Sequence, residues 1–309
     1  EEEPVPMRKP ITIYLWYDRE AREATKFYTS IFQDSAIDHV VRLPDTPSGE
    51  AELVSFHIGD QPFMAISAGP LFRFNPAISI MVNFDPSRDP RAREHLDAAW
   101  AALTEGGKVL MPLDAYPFSP HYGWVEDRYG LSWQLILTNP EGEPRPYVLP
   151  YLLFTGAVHG KAEEAGEFYR SVFPGSRPGR IVRHPPGQQY EREGTVLFSD
   201  FRLGEQTWFV AMDSGYPHGF SFNESISFMV ECRDQAEIDR YWEKLSAVPG
   251  AERCGWCKDR FGISWQIVPE SLGQMMRDGS PEQIARLTQA MFPMKKLDLA
   301  ELERAFHGK

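Results

Sequence analysis

Two hydrophobic rhythms alternate along the chain. Residues 11–17 are apolar and rich in β-branched and aromatic side chains, which predicts a strand. In residues 20–32 the apolar Ala24, Phe27, Tyr28 and Ile31 recur at i, i+3, i+4 and i+7, the stripe of a helix. Short strands follow at 52–58 and 62–67, around the turn Gly59-Asp60. A second round then begins with a strand at 78–84 and a helix at 90–103. It closes with a hairpin of 124–127 and 132–137 around Tyr129-Gly130, while Val109-Leu110 marks one further strand only faintly. The plan is βαβββ, twice over.

The same plan then returns, with helices near 162–173 and 236–245, because the sequence repeats itself. Phe27-Tyr28-Thr29-Ser30-Ile31-Phe32 comes back as Phe168-Tyr169-Arg170-Ser171-Val172-Phe173. Phe74-Asn75 and Ile78-Ser79 come back as Phe222-Asn223 and Ile226-Ser227. The strongest match pairs Gly123-Trp124-Val125-Glu126-Asp127-Arg128-Tyr129-Gly130-Leu131-Ser132-Trp133-Gln134 with the block from Gly255 to Gln266. Two domains are expected, at 8–139 and 147–269. The first six residues would then be an extension, and the Pro- and Gly-containing stretch 139–146 a linker that continues neither strand nor helix. Residues 270–309 form a tail with helices expected at 281–291 and 298–306, packed on the body as a clasp.

Composition narrows the function classes. A hydrophobic share of 42% and an aromatic share of 13% belong to a folded chain with a sizeable core. The net charge of −12 argues against nucleic acid and anionic membrane as partners, and no apolar run is long enough for a membrane span. Three cysteines, all in the second half, do not build a disulfide framework, so a cytoplasmic location is expected. Cys254 and Cys257 have the spacing of a redox or zinc motif. Their counterparts in the first copy are Tyr122 and Val125, on the approach to a strand where residues three apart point to opposite faces, so a thiol pair without function is expected.

Doubled βαβββ modules with these motifs resemble the vicinal-oxygen-chelate superfamily of glyoxalase I, extradiol dioxygenases and bleomycin resistance proteins. Within it the chain resembles the PhnB-like branch, whose members are often named 3-demethylubiquinone-9 3-methyltransferase-like. The resemblance rests on Phe-Tyr-x-Ser-x-Phe in the first helix, Met111-Pro112-Leu113, Asp127-Arg128-Tyr129-Gly130-Leu131-Ser132-Trp133-Gln134, and the stretch from Ala290 to Asp298. It implies an α+β fold of tandem glyoxalase-like domains, each of two βαβββ modules forming an incomplete barrel, with a C-terminal helical tail. It also implies a pseudo-dimer within one chain, a higher oligomer remaining open, and a site on a concave sheet.

The superfamily's chemistry usually rests on a divalent metal held by two His and one or two Glu from central strands. Here Gln134 and Gln266 stand at the last-strand Glu position, Ser79 and Ser227 stand where a His would enter, and the first strands carry no His. A neutral carboxamide is a poor ligand for such an ion, so no metal and no cofactor are expected. The candidate ligand-binding residues are Ser67, Asn75, Ser79, Trp124 and Gln134 in the first copy, with Tyr116, Phe118 and His121 from an expected loop at 111–122. In the second copy they are Asp213, Ser227, Trp256 and Gln266, Asp213 being the acid that could serve as a base. Asn75 and Asn223 have the competing reading of turn residues, and the remaining histidines are read as surface or loop residues. The first copy, with its longer aromatic segment, is the expected functional one.

Three functions stay open. The leading one is a metal-free small-molecule-binding protein. The alternatives are a glyoxalase- or dioxygenase-type enzyme with unusual metal ligands, and a methyltransferase, for which no Gly-rich loop joining a strand to a helix is present.

Overall fold

The computed structural model describes residues 4–46, 49–139 and 141–309; Glu1 to Glu3 of the expected extension and Pro140 of the linker lie outside the described residues. The first copy runs β1 (Thr12–Tyr17), α1 (Ala21–Ile31), β2 (Ser35–Thr46), β3 (Gly49–Ile58), β4 (Gln61–Ser67), β5 (Ile78–Phe84), α2 (Ala92–Thr104), β6 (Lys108–Tyr116), β7 (Ser119–Glu126) and β8 (Ser132–Leu137). The second runs β9 (Val148–Thr155), α3 (Ala162–Val172), β10 (Arg177–Arg183), β11 (Val196–Leu203), β12 (Thr207–Ser214), β13 (Ile226–Cys232), α4 (Gln235–Leu245), β14 (Trp256–Lys258) and β15 (Ser264–Pro269). Three helices close the chain: α5 (Ser271–Asp278), α6 (Pro281–Met291) and α7 (Leu299–His307).

Neither of the two mixed sheets belongs to one copy. The seven-stranded sheet has the order β14-β15-β13-β1-β4-β3-β2, and the eight-stranded sheet β10-β11-β12-β9-β5-β8-β7-β6. Each joins the first module of one copy to the second module of the other. The seams are antiparallel and equivalent: Tyr14 of β1 faces Ser227 of β13, and Tyr151 of β9 faces Ser79 of β5. Two asparagines mark the same pseudo-symmetry. Asn75 donates its side-chain N–H to the Ser221 carbonyl (2.9 Å), and Asn223 donates to the Arg73 carbonyl (2.8 Å).

Alternation along each strand sends one set of side chains outward to the helices and the other into the concave face. Ile13, Leu15 and Tyr17 of β1, Ile80 and Val82 of β5, and Trp133 and Leu135 of β8 join one continuous core with α1 to α4. The inner faces are separate. That of the seven-stranded sheet is covered by the tail, with Tyr14, Leu53, Val41 and Val268 packed against Met275, Met276, Leu287, Leu297 and Leu302. Six of the ten methionines sit in this contact: Met64 and Met229 on the sheet, and Met275, Met276, Met291 and Met294 on the tail. Unbranched, flexible thioethers adapt readily to the contact between a twisted sheet and helices. Residues 294–299 are also pinned by hydrogen bonds, from Cys254 N–H to Met294 O, from Gly255 N–H to Lys295 O, and through the Gln235 side chain to Leu297 and Leu299.

Two stretches differ from the sequence expectation. Residues 111–122 are not a loop but most of the β6–β7 hairpin, and β6 pairs with three register shifts. Pro112, Pro117 and Pro120 interrupt the strand pattern there, and β6 is solvent-facing along most of its length, so no apolar period marks it. The strand β2 and the helix α5 were not expected either. The β2–β3 ladder carries irregularities at Ile37/His39 and Leu43/Thr46, which break the alternation.

Candidate functional site

The inner face of the eight-stranded sheet is the one that the tail leaves uncovered. On β7 the residues Tyr122, Trp124 and Glu126 alternate with Gly123 and the buried Val125. Gly123 is required because the Trp100 ring of α2 lies where a Cβ would sit, 2.5 Å away. The register places Trp124 opposite Gln134, and Glu126 opposite Ser132, on β8. A connected polar floor results. Trp124 donates its indole N–H to Ser132 Oγ (2.6 Å), Ser132 and Ser79 share a hydroxyl bond (2.8 Å), and Tyr122 donates to Gln134 Oε1 (2.5 Å). Tyr151 of β9 donates to the Met212 sulfur (2.9 Å), and Met81, Leu149 and Val210 form the apolar remainder.

The hairpin supplies an aromatic rim. Tyr116 and Phe118 stack on each other, and both meet Tyr122 edge-on at 5.5 and 4.8 Å. Phe118 is 60% exposed at the tip of this rim. Burial pushes the phenols of Tyr122 and Tyr151 far above the ordinary range, so both remain neutral donors. Burial also raises the Glu126 carboxyl, and Lys108 on β6 opposes this only in part.

The structure thus gathers Ser79, Trp124 and Gln134 on one face, with Tyr116 and Phe118 at its rim. Ser227, Trp256 and Gln266 gather on the other face, beneath the tail. Gln266 donates to Ser227 Oγ (3.0 Å), and Trp256 meets Tyr14 and Trp16 edge-on. Ser264, in the place of Ser132, has a buried hydroxyl with no hydrogen-bond partner, because Trp256 does not reach back to it as Trp124 does.

The other candidates lie elsewhere. Ser67 Oγ accepts the Ala21 N–H at the start of α1 (3.0 Å), beside an open groove of about 620 Å³ lined by Asp18, Arg19, Arg42 and Glu52. Its counterpart Asp213 takes the N–H groups of Gly160, Ala162 and Val196 at 2.8–3.1 Å, so its carboxylate is engaged in holding the start of α3 and β11. Asn75 accepts the Ala77 N–H in a turn (2.8 Å). His121 has the opposite parity to Tyr122, faces α2 and pairs with Asp97. His184, read as a loop residue, is buried and bonds to the Asp213 carbonyl (3.0 Å).

Strand parity in the sequence puts Ser132 with Gln134 and Glu126 with Trp124, though neither Ser132 nor Glu126 is among the candidate site residues; Tyr122 and Tyr151 are passed over. Tyr151 carries no signal, because it reaches the face only through the seam between copies. The Asp-Arg-Tyr/Phe-Gly-x-Ser-Trp-Gln motif divides its work. Asp127 is buried and accepts from Tyr28 OH (2.6 Å), Trp133 Nε1 (2.9 Å), Tyr129 N (2.8 Å) and Leu131 N (3.1 Å). Asp259 repeats this with Tyr169, Trp265, Phe261 and Ile263. The aspartate and tryptophan build the fold, while Ser132 and Gln134 face the concave side.

The donor set does not suit the superfamily's divalent metal. Ser79, Gln134, Tyr151 and Met212 are neutral, Tyr151 and Met212 bond to each other, Glu126 adds a single carboxylate, and among the described residues no three His, Cys, Asp or Glu side chains come together to hold an ion. Gly106-Gly107 follow α2 and precede β6, so they do not form the strand-to-helix turn of a doubly wound methyl-donor site. Among the described residues no helix is long and apolar enough to cross a membrane.

The family model described as 3-demethylubiquinone-9 3-methyltransferase matches residues 9–136 and again 146–268. A Bacillus cereus PhnB protein, provisionally given that same name, is 35% identical over 41% of this chain and 98% of its own, with a TM-score of 0.37. Glyoxalase I of Zea mays is 13% identical and covers 85% of this chain and 93% of its own, with a TM-score of 0.53. A Bacillus subtilis protein provisionally named a dioxygenase is also 13% identical, covering 88% and 90% with a TM-score of 0.50. These last two show a shared fold. A comparison with curated proteins returns no match. Matched twice in tandem over most of its length, the chain belongs to the 3-demethylubiquinone-9 3-methyltransferase family.

Proposed function

We propose that the protein binds one small, partly aromatic molecule per chain on the inner face of the eight-stranded sheet, without a metal ion. The observation that carries this is the asymmetry of the two inner faces. One is covered by the chain's own α5 to α7, while the other keeps Trp124, Glu126, Ile136, Phe198 and Met212 half-buried over a floor of Ser79, Ser132 and Gln134. Apolar walls with a few placed hydroxyls and an amide are the make-up of a small-molecule site. With its oxygen taken by Tyr122, Gln134 offers its amide N–H to a ligand, and the indole face of Trp124 offers a stacking surface.

A calorimetric screen of aromatic metabolite-sized compounds tests the reading. The expected result is one site per chain, weakened about tenfold by Gln134→Ala, the ~1.4 kcal/mol of one lost hydrogen bond. Gln266→Ala, beneath the tail, should leave affinity unchanged. Protein incubated with zinc, manganese or cobalt and desalted should retain far less than one equivalent. Stoichiometric metal, or loss of binding in Gln266→Ala with Gln134→Ala silent, would overturn the proposal.

A further inference from the structure

We infer that the ligand of the eight-stranded face carries a positively charged nitrogen, held between the carboxylate of Glu126 and the ring of Trp124. This rests on the reading of that face as the binding face and adds the charge it selects. Glu126 and Trp124 are two residues apart on an unbroken stretch of β7, so both side chains enter the same face, with Ser132 and Gln134 beside them on β8. The indole N–H of Trp124 is already donated to Ser132, which leaves its ring face for a partner.

Glu126 is half-buried, and among the described residues it has no ion pair or hydrogen bond to its carboxylate. Lys108 is its cross-strand neighbour on β6 but does not reach it as an ion pair. Asp114, opposite Tyr122 on β6, is exposed to water and accepts the Ala115 N–H, and the charges farther along the sheet are engaged or remote. Asp200 is buried and holds Arg145 (2.7 Å) and the Arg180 N–H (2.7 Å), and the Arg145 guanidinium lies over Trp208. Arg180, over Phe198, belongs to β10, six strand spacings from β7, ~29 Å along the sheet at ~4.8 Å per strand. A carboxylate taken partly out of water without a partner is costly, and a cation supplied by a ligand removes that cost. The immediate surroundings suit an organic cation, since Trp124 beside Glu126 on β7 offers its ring face. The repeat supplies a control. At the position equivalent to Glu126, the covered face has Lys258, already paired with Glu224.

Three indoles of similar size separate charge from shape: tryptamine is cationic near neutral pH, tryptophol neutral and indole-3-acetate anionic. Calorimetric titration should find tryptamine at least about tenfold tighter than tryptophol, with indole-3-acetate weakest, the ~1.4 kcal/mol expected of a partly desolvated ion pair with cation–π support. Glu126→Gln should abolish the preference for tryptamine over tryptophol while both probes still bind, which a merely misfolded variant would not do. Equal binding of the three probes, or a tryptamine preference that survives Glu126→Gln, overturns the charge assignment. If Gln134→Ala then still weakens all three, the binding face stands. If none of the three binds the wild-type protein, this assignment falls, while the broader screen still decides the face.

Discussion

Replacing Asp127 by Ala tests whether the repeated motif is a folding element. The substitution leaves four donors without their acceptor, but not equally. Tyr28 OH keeps its bond to Tyr17 OH (2.8 Å), and Tyr129 N lies near enough to the surface to turn to water. Trp133 Nε1 and Leu131 N belong to residues that are 0% exposed and have no substitute. Each stranded buried donor costs ~1–3 kcal/mol, about 2–6 together, and removal of a buried carboxylate returns part of this, so the expected loss is about 3–4 kcal/mol. Asp127→Asn should cost less, ~1–3 kcal/mol, because its amide oxygen still serves the backbone N–H groups while its NH2 meets the Trp133 N–H donor to donor. Urea unfolding followed by circular dichroism reads this as a lower midpoint at constant slope. The same substitution at Asp259 should cost ~1–3 kcal/mol more, since among the described residues Tyr169 OH has no second hydrogen bond to match that of Tyr28, and Phe261 N is buried. A loss below ~1 kcal/mol for Asp127→Ala would refute the reasoning.

Two further outcomes can be checked on the bench. Cys232 and Cys257 are buried with their thiols pushed up by burial, and Cys254 is half-buried, so a thiol reagent near pH 8 should label at most Cys254 in the native protein and all three in urea. Rapid labelling of two or more native thiols would contradict this. The raised Glu126 carboxyl means that the folded state favours its protonated form. Its stabilising contribution is therefore present below the ordinary glutamate range and is lost as pH rises through the raised value. Compared with wild type, Glu126→Gln should lose less stability across that window in a melting series against pH, and identical slopes would show that the group is not perturbed.

Much of the local structure was legible along the chain. The i, i+3, i+4, i+7 stripe located α1 and the repeat carried it to α3, because each of those helices buries one face in a single core. Strand parity alone separated the packing residues Trp133 and Trp265 from the inward-facing Ser132 and Gln134. The β6–β7 hairpin was not legible, since prolines and solvent exposure on both sides erase the alternation from which strands are read. Asp213 could be placed at a strand end by its position in the repeat. Its engagement with three backbone N–H groups could not, because those donors come from a loop, a helix start and another strand.

The amino-acid sequence by itself determined that the protein is two tandem copies of one strand-and-helix plan with a helical tail, and that Ser79, Gln134, Ser227 and Gln266 recur at equivalent positions. Only the tertiary structure decided which modules share a sheet. The strand pattern of β1 would satisfy pairing with β5 of its own copy as well as with β13 of the other, since alternation encodes which face is apolar and not which neighbour lies alongside. The tertiary structure also decided which face is left for a ligand. The apolar stripes of α6 and α7 announce a buried side, but their burial against Tyr14, Val41 and Leu53 follows from the curvature of the seven-stranded sheet, a property of the assembled strands that no single segment carries.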